Sequence, residues 1–358
     1  MGRLNVEDRE AKLRILSEFI KSDTEKIYMV IGSEEGGLYG LFNDGLSMAS
    51  RAKENLVFRY EIWGKEHSRH FLYRWLYETV FGQAFEGFGR WDDVVSKHPQ
   101  LLNQLQLLIE RDIRPLEIRF MEAIRFLSRG LDVKERIILS IVPRTAMLDK
   151  VLVDFFRMLL RMMPIRVKLL IFQDREDVLA KQSDFSPSNR ILLDGAYKNR
   201  AAKIKERYKE YCRADSLEGE AIQKLAHLVH PVDLEMLSEI TGKSKDRLIK
   251  TLKSSELEDL LEQDSMNRFR LSYPRMFSTI DSGYGDFDSS DKQAVKYLEK
   301  RLFDSSDHYP DALYHSLGMF RIKDPEFNAS HVLSAYRIKL NMGGADICEQ
   351  ELDRALNL

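Results

Sequence analysis

The feature that most constrains this chain is a strand, a Gly-rich turn, a helix and a second strand in close succession between residues 27 and 60. Ile27–Ile31 is a short apolar run, GSEEGGLYG follows it, a helical stretch continues to about Ser50, and Leu56–Tyr60 is apolar again. Strands joined through a crossover helix pair in parallel, because a tight hairpin leaves no room for one. The same order returns at 136–172, where RIILSIV leads into a helix and VKLLIF follows. That helix carries Val151, Leu152, Phe155, Leu159 and Met162 on one face. Two βαβ units with right-handed crossovers predict an α/β fold, a parallel sheet with flanking helices.

Around this frame the character of the chain changes several times. Residues 7–21 read as a lead-in amphipathic helix, with Leu13, Leu16 and Ile20 on one stripe and Ile15 and Phe19 beside it. From about 64 to 130 the pattern is helical and rich in aromatics, with Trp63, Trp75 and Trp91 in or at the edge of the segment. Most rings of 58–91 are expected in the core, since helices lying on a parallel sheet need large apolar residues, with a few left exposed. Residues 196–212 form a basic helix, and 216–280 read as three short helices followed by a hairpin, Leu260–Leu271, around the turn QDSMN. The Gly-, Ser- and Asp-rich stretch 281–290 reads as a linker, and 291–358 as three or four short helices broken by Pro310, Pro325 and Gly343-Gly344. The expected domains are therefore 1–214, 215–280 and 291–358.

Composition removes several function classes. With 55 basic and 57 acidic residues the net charge is −2, so attraction to nucleic acid or an anionic membrane must come from a local patch. The two cysteines, Cys212 and Cys348, make neither a disulfide framework nor a zinc site and fit a reducing compartment. No apolar run reaches the roughly 18 residues that span a bilayer, and the charged opening MGRLNVEDREAK has no leader-like core. The expectation is a cytoplasmic protein with no membrane contact. His67 and His70 share a helix face but lack a third ligand, so no metal is expected. Nothing resembles a catalytic triad, a paired-carboxylate site or a thiol active site.

The Gly-rich turn has the spacing of a phosphate-binding loop, Gly-x-x-x-x-Gly-Lys-Ser/Thr, with Gly32 and Gly37 five apart between a strand and a helix. Its chemistry is missing. Leu38 stands where a lysine would reach the phosphates, and Tyr39 where a hydroxyl would ligate magnesium. Glu34 and Glu35 place two carboxylates in a loop that must cradle anions. The strand RIILSIV runs through Val142 into Pro143 and Arg144, where a working ATPase would hold an acid for magnesium, and the first acid afterwards is Asp149.

In these features and their order, residues 7–280 resemble the ATPase core of the STAND and related AAA-type families. The likeness rests on the lead-in helix, the loop GSEEGGLY and the Walker-B-like segment IILSIVPRTAMLDKVLVDFFRMLLRMMP, in which Leu148-Asp149 is kept. It also rests on VKLLIFQDRED, which resembles a sensor strand with Gln173 and Arg175 in the polar places. Residues 216–280, with the segments PVDLEMLSEITG and SKDRLIKTLKSS before a hairpin, resemble the winged-helix domain that often follows such a core. The resemblance implies an ATPase-derived protein with its nucleotide chemistry lost and no cofactor. It also implies partner binding through the helical tail and the winged helix, in a signalling or defence assembly.

The third helix of the winged-helix region carries Lys243, Lys245, Arg247, Lys250 and Lys253. In a DNA-binding protein such residues meet phosphates. Because the preceding helix is acidic, at Asp233, Glu235 and Glu239, a solvated face is the preferred reading. The expected function is thus a catalytically inactive, ATPase-like regulator or scaffold that binds another protein. The alternative is a winged-helix DNA-binding transcriptional regulator, and a third option is a nucleotide-binding switch with an altered loop.

Overall fold

The computed structural model describes residues 2–32, 38–62, 68–82, 84–86, 88–132, 135–143, 150–174, 190–192, 198–213, 216–228, 231–254, 257, 260–263, 267–272, 287–304, 315, 322 and 324–331. The chain divides into two compact units, residues 1–203 and 204–358.

The first unit contains α1 (Gly2–Lys21), β1 (Ile27–Gly32), α2 (Leu38–Arg51), β2 (Asn55–Ile62), α3 (Ser68–Val80), β3 (Phe85–Glu86) and α4 (Phe88–Lys97). It continues with α5 (Pro99–Glu110), α6 (Leu116–Gly130), β4 (Arg136–Pro143), α7 (Lys150–Met162), β5 (Val167–Asp174) and β6 (Arg190–Leu192). The strands form one sheet in the order β3-β2-β4-β5-β1-β6. All neighbours are parallel except the edge pair β2–β3. β1 and β2 are buried along almost their whole length, as strands covered on both faces must be, which is why they read as mainly apolar, with Asn55, Arg59 and Glu61 the polar exceptions in β2.

The two faces are filled differently. One carries Phe58 and Tyr60 of β2 against Trp75, Phe120 and Phe156 from α3, α6 and α7, all nearly solvent-free. Ring centroids there lie 5.3 Å apart for Tyr60–Trp75 and 5.7 Å for Tyr60–Phe120. Phe58, Tyr60, Phe71, Tyr73, Trp75, Phe85 and Trp91 are thus core residues, as the aromatic segment suggested. The opposite face takes α1 and α2, with Phe19 against Tyr28 at 5.0 Å and Phe42 edge-on to Phe172 at 4.7 Å. Lys168, fully buried within the apolar run of β5, is accommodated because its ammonium donates to the carbonyls of Ser22 and Glu25. Burial lowers its pKa from the ordinary lysine value.

Four readings need correction. The segment 64–130 is not purely helical, since Phe85–Glu86 forms an antiparallel edge strand. The short strand β6, between the second βαβ unit and the basic helix, was not legible. β5 runs two residues past Phe172, to Asp174. The stretch 281–290 is not all linker, because residues from Phe287 onward are helical.

α8 (Lys198–Arg213) leads into the second unit, followed by α9 (Leu217–Leu228), α10 (Leu234–Thr241) and α11 (Lys245–Leu252). The strands β7 (Leu261–Gln263) and β8 (Phe269–Leu271) form an antiparallel hairpin. A further bridge pairs Val232 with Phe269 through reciprocal hydrogen bonds of 2.8 and 2.7 Å. Ile222, Leu225, Leu237, Leu248, Leu252, Leu260 and Phe269 form its core. The helix α12 (Phe287–Asp304) packs on α9 and α10, and its Ala294, Val295 and Leu298 are each at most 2% exposed. Residues 325–331 add a short helical turn whose Phe327 joins Ile322 on Val295.

Candidate functional site

The sheet itself marks where a ligand would sit in the first unit. From β1 the chain crosses β5 and β4 to reach β2, whereas from β5 it crosses β1 in the opposite sense to reach β6. β1 and β5 are therefore neighbours at a topological switch point, and ligands of open α/β sheets bind outside the carboxyl ends of such strands. At that edge Gly32 ends β1 opposite Asp174 of β5, and Ile31 lies opposite Gln173. On the other side, Val142 and Pro143 end β4 opposite Glu61 and Ile62 of β2. The structure thus brings Gly32, Val142, Pro143 and Gln173 to one sheet edge. Gly37, Arg144 and Arg175 lie outside the described residues, as do Glu34, Glu35 and Asp149.

Leu38, the residue in the lysine place, opens α2 with only 2% of its surface exposed. It heads an apolar face continued by the solvent-free Leu41 and Phe42. Tyr39 stands in the first turn, but its side chain is not among those described. Gln173 is fully buried and polar, so it must be satisfied internally rather than by solvent. Asp174 is the acid that the sequence reading passed over. It follows Gln173 directly, and only the pairing register reveals that its backbone lies beside Gly32.

A charged network lies near the end of β2. Glu61, 3% exposed, accepts from Arg59 Nε at 2.7 Å, and the Arg59 guanidinium sits 5.0 Å over the Phe42 ring. Arg59 also reaches Glu86 at 3.5 Å. The Glu61 carbonyl accepts from Arg74 and from Trp75 Nε1, the latter at 3.4 Å. These contacts bind β2, α2 and α3 together and commit the carboxylate to structure.

In the second unit, α10 and α11 are joined by Gly242, Lys243 and Ser244. Asp233 caps α10, accepting from the Met236 amide at 2.8 Å, and Gly242 ends it with a left-handed φ of 67°. The five basic residues singled out from the sequence fall on this turn and on and just beyond α11. Lys243 pairs with Glu220 at 3.9 Å and Lys245 with Glu235 at 2.5 Å. Arg247, Lys250 and Lys253 are exposed, and among the described residues their side chains have no ion-pair or hydrogen-bond partner.

The tail contains an arrangement no spacing could reveal. Glu299 of α12, only 9% exposed, bridges two imidazoles, His315 Nε2 at 3.0 Å and His331 Nδ1 at 2.7 Å. Burial alone would raise its pKa, but the hydrogen bonds and charges of His315 and His331 outweigh it and hold the carboxyl below the usual range. Arg301 donates to Asp233, and Tyr297 beside it is pushed up to about 12 by burial and by the Asp233 charge. His67 is outside the described residues, as is the His70 side chain. Among the described residues no group of three or more His, Cys, Asp or Glu is placed to hold a metal, and no helix is long and apolar enough to cross a membrane.

Comparison with solved structures bears on the whole arrangement. The chain is similar to a signal transduction ATPase with numerous domains (STAND) from Pyrococcus horikoshii that carries a tetratricopeptide repeat sensor, with a TM-score of 0.53. The first unit has a P-loop NTPase-like fold. Identity to that protein is 11%, and the match covers 96% of this chain and 53% of the other, so this chain spans about half its length. No family model matches the sequence, and no curated protein does.

Proposed function

We propose that this protein is an ATPase-like regulator or scaffold that neither hydrolyses nor tightly binds ATP and acts by binding another protein. The observation that carries the reading is Leu38, 2% exposed at the head of α2. A phosphate loop needs a cation there, free to extend to the β- and γ-phosphates. A leucine packed into the core supplies no charge and leaves no space for one. β4 ends in Pro143, which has no carboxylate to hold magnesium through water. ATP with magnesium therefore does not fit the residues present. The three helices, the hairpin and the Val232–Phe269 bridge of the second unit support its reading as a winged helix. We assign the protein partner to this unit together with the tail, and a signalling or defence assembly is the setting by analogy with the STAND resemblance alone.

Calorimetry with ATP and magnesium tests the reading. The expected trace is flat up to about millimolar nucleotide, where binding free energy falls near −4 kcal/mol. A micromolar dissociation constant, or magnesium-dependent turnover lost in Gly37→Glu, would overturn it.

A further inference from the structure

We infer that the outer face of α5, with the cleft where it meets the ends of α4 and α6, is a docking surface for an acidic peptide segment of another protein. This contact lies in the first unit, apart from the one assigned to the second unit, and does not depend on the fate of ATP.

Helix ends build the cleft. Lys97 closes α4, His98 alone joins it to α5, and Pro99 opens α5, where its missing N–H costs nothing because the first amides of a helix have no intrahelical acceptor. α6 packs on α5, and its last residue, Gly130, is so close that an added Cβ would lie 3.4 Å from Leu101 Cδ2. The ends enclose a cleft of about 490 Å³ whose lining includes Lys97, Gln100, Leu101, Gln104, Phe126 and Arg129 and no acid. Lys97 and Arg129 are exposed, and among the described residues their side chains have no ion-pair or hydrogen-bond partner. Lys97 does not pair even with Asp93 one turn before it, whereas Arg14 and Arg157, also on helix surfaces of this unit, are paired with acids within a turn.

The face continues along the helix. Gln100, Gln104, Leu107 and Arg111 recur at helical spacing, so they share one side of α5 and its C-cap, and all four are exposed. Leu107 is 45% exposed, and Ile113, in the loop beyond, is 97% exposed. Cations at both ends, with carboxamides and an apolar side chain between them, specify the occupant. Lys97, Arg129 and Arg111 call for carboxylates, and Leu107 for an apolar side chain. The Gln100 and Gln104 carboxamides, each both donor and acceptor, suit a peptide backbone. α5 has 12 residues, so it is about 18 Å long, the span of about five or six extended residues. A small anion fits less well, because small-molecule sites bury most of their ligand and this lining is largely exposed. A nucleic-acid backbone has no use for Leu107 and Ile113.

The test is fluorescence anisotropy of the full chain with a labelled heptapeptide, Glu-Glu-Gly-Leu-Leu-Glu-Glu, at about 20 mM salt, where surface charges are little screened. Binding is expected with a dissociation constant below about 1 mM and should weaken as salt rises. Lys97→Gln and Arg129→Gln should each weaken it about two- to three-fold, as loss of an exposed ion pair does, and K97E/R129E at least about ten-fold. Leu107→Ala should weaken it about four-fold, the effect of one buried methylene. Circular dichroism should be unchanged, since these side chains are exposed. No binding up to about 1 mM peptide, equal binding of the same peptide with every Glu replaced by Gln, or indifference to K97E/R129E overturns the proposal. So does displacement by about 1 mM inorganic phosphate, which would mark a site for a small anion, or tighter binding of a short DNA duplex that is lost in K97E/R129E. Calorimetry with ATP reports on Leu38 and not on α5, so the two readings fail separately.

Discussion

Asp233 does two separable jobs, and replacing it tells how α12 is fastened to the helix-turn-helix. One carboxylate oxygen caps α10 through the Met236 amide at 2.8 Å, and the other accepts from Arg301 of α12. Loss of an Asp cap to Ala costs about 1 kcal/mol. The ion pair, with side chains 28% and 23% exposed for Arg301 and Asp233, is partly screened and contributes about 0.5 kcal/mol. Asp233→Ala should then destabilise the unit by about 1.5 kcal/mol, while Asp233→Asn, which keeps the cap, should cost only about 0.5 kcal/mol. Tryptophan fluorescence cannot report this, because Trp63, Trp75 and Trp91 all lie in the first unit. Native-state hydrogen exchange at the Met236 and Leu237 amides can. Protection should fall about twelve-fold in the Ala variant and about two-fold in the Asn variant. Combining Asp233→Asn with Arg301→Gln should lose no more than Arg301→Gln alone, since that change already removes the pair together with the Arg301 bond to the Tyr297 hydroxyl. Equal loss from Asn and Ala would refute the capping role, and no loss from either would refute both.

Three further outcomes follow from single positions. Leu38→Lys should destabilise the first unit by about 3 kcal/mol, as an unpaired charge in a core does, without conferring ATP binding; a tolerated lysine that brought nucleotide affinity would return the loop to the active class. Gly82→Ala should cost at least about 2 kcal/mol in thermal unfolding followed by tryptophan fluorescence, because φ is +69° and an added Cβ would lie 2.2 Å from Trp91 Cδ1; an unchanged midpoint would mean that the ring moves freely. Glu299 has a folded pKa below its ordinary value of 4.5, so its contribution is present above that pH and is lost as pH falls through the folded pKa. The stability gap between wild type and Glu299→Gln, measured by urea unfolding followed by circular dichroism, should be about 2 kcal/mol at neutral pH and close below about pH 4.5; a gap independent of pH would refute the ionised bridge.

The sheet was legible because its central strands have no polar side to hide. RIILSIV and VKLLIF are covered on both faces, so burial writes itself as mainly apolar sequence, interrupted within the strands only by the buried Ser140 and Lys168. Where the same burial falls on polar residues, the signal inverts. Gln173 is fully buried, yet its polarity ended the apparent strand two residues early and concealed Asp174 opposite Gly32. Phe85–Glu86 and Arg190–Leu192 are too short for any alternation to register. The start of α12 failed for a related reason. Its Ser290 closes the stretch read as linker and Asp291 opens the tail, but they are 1% and 2% exposed and pair with Lys224 at 2.6 Å and His227 at 2.7 Å. Their polarity serves partners on α9 rather than water. Glu299 with His315 and His331 draws on residues 16 and 32 positions apart, beyond any helical or strand period. In each case the composition was read as exposure, when what it recorded was a buried group with a partner far along the chain. The basic flank of α11 is the opposite case. Its charges were visible at once, but only the pairs at Glu220 and Glu235 separate cations that are already held from those without an ion pair among the described residues.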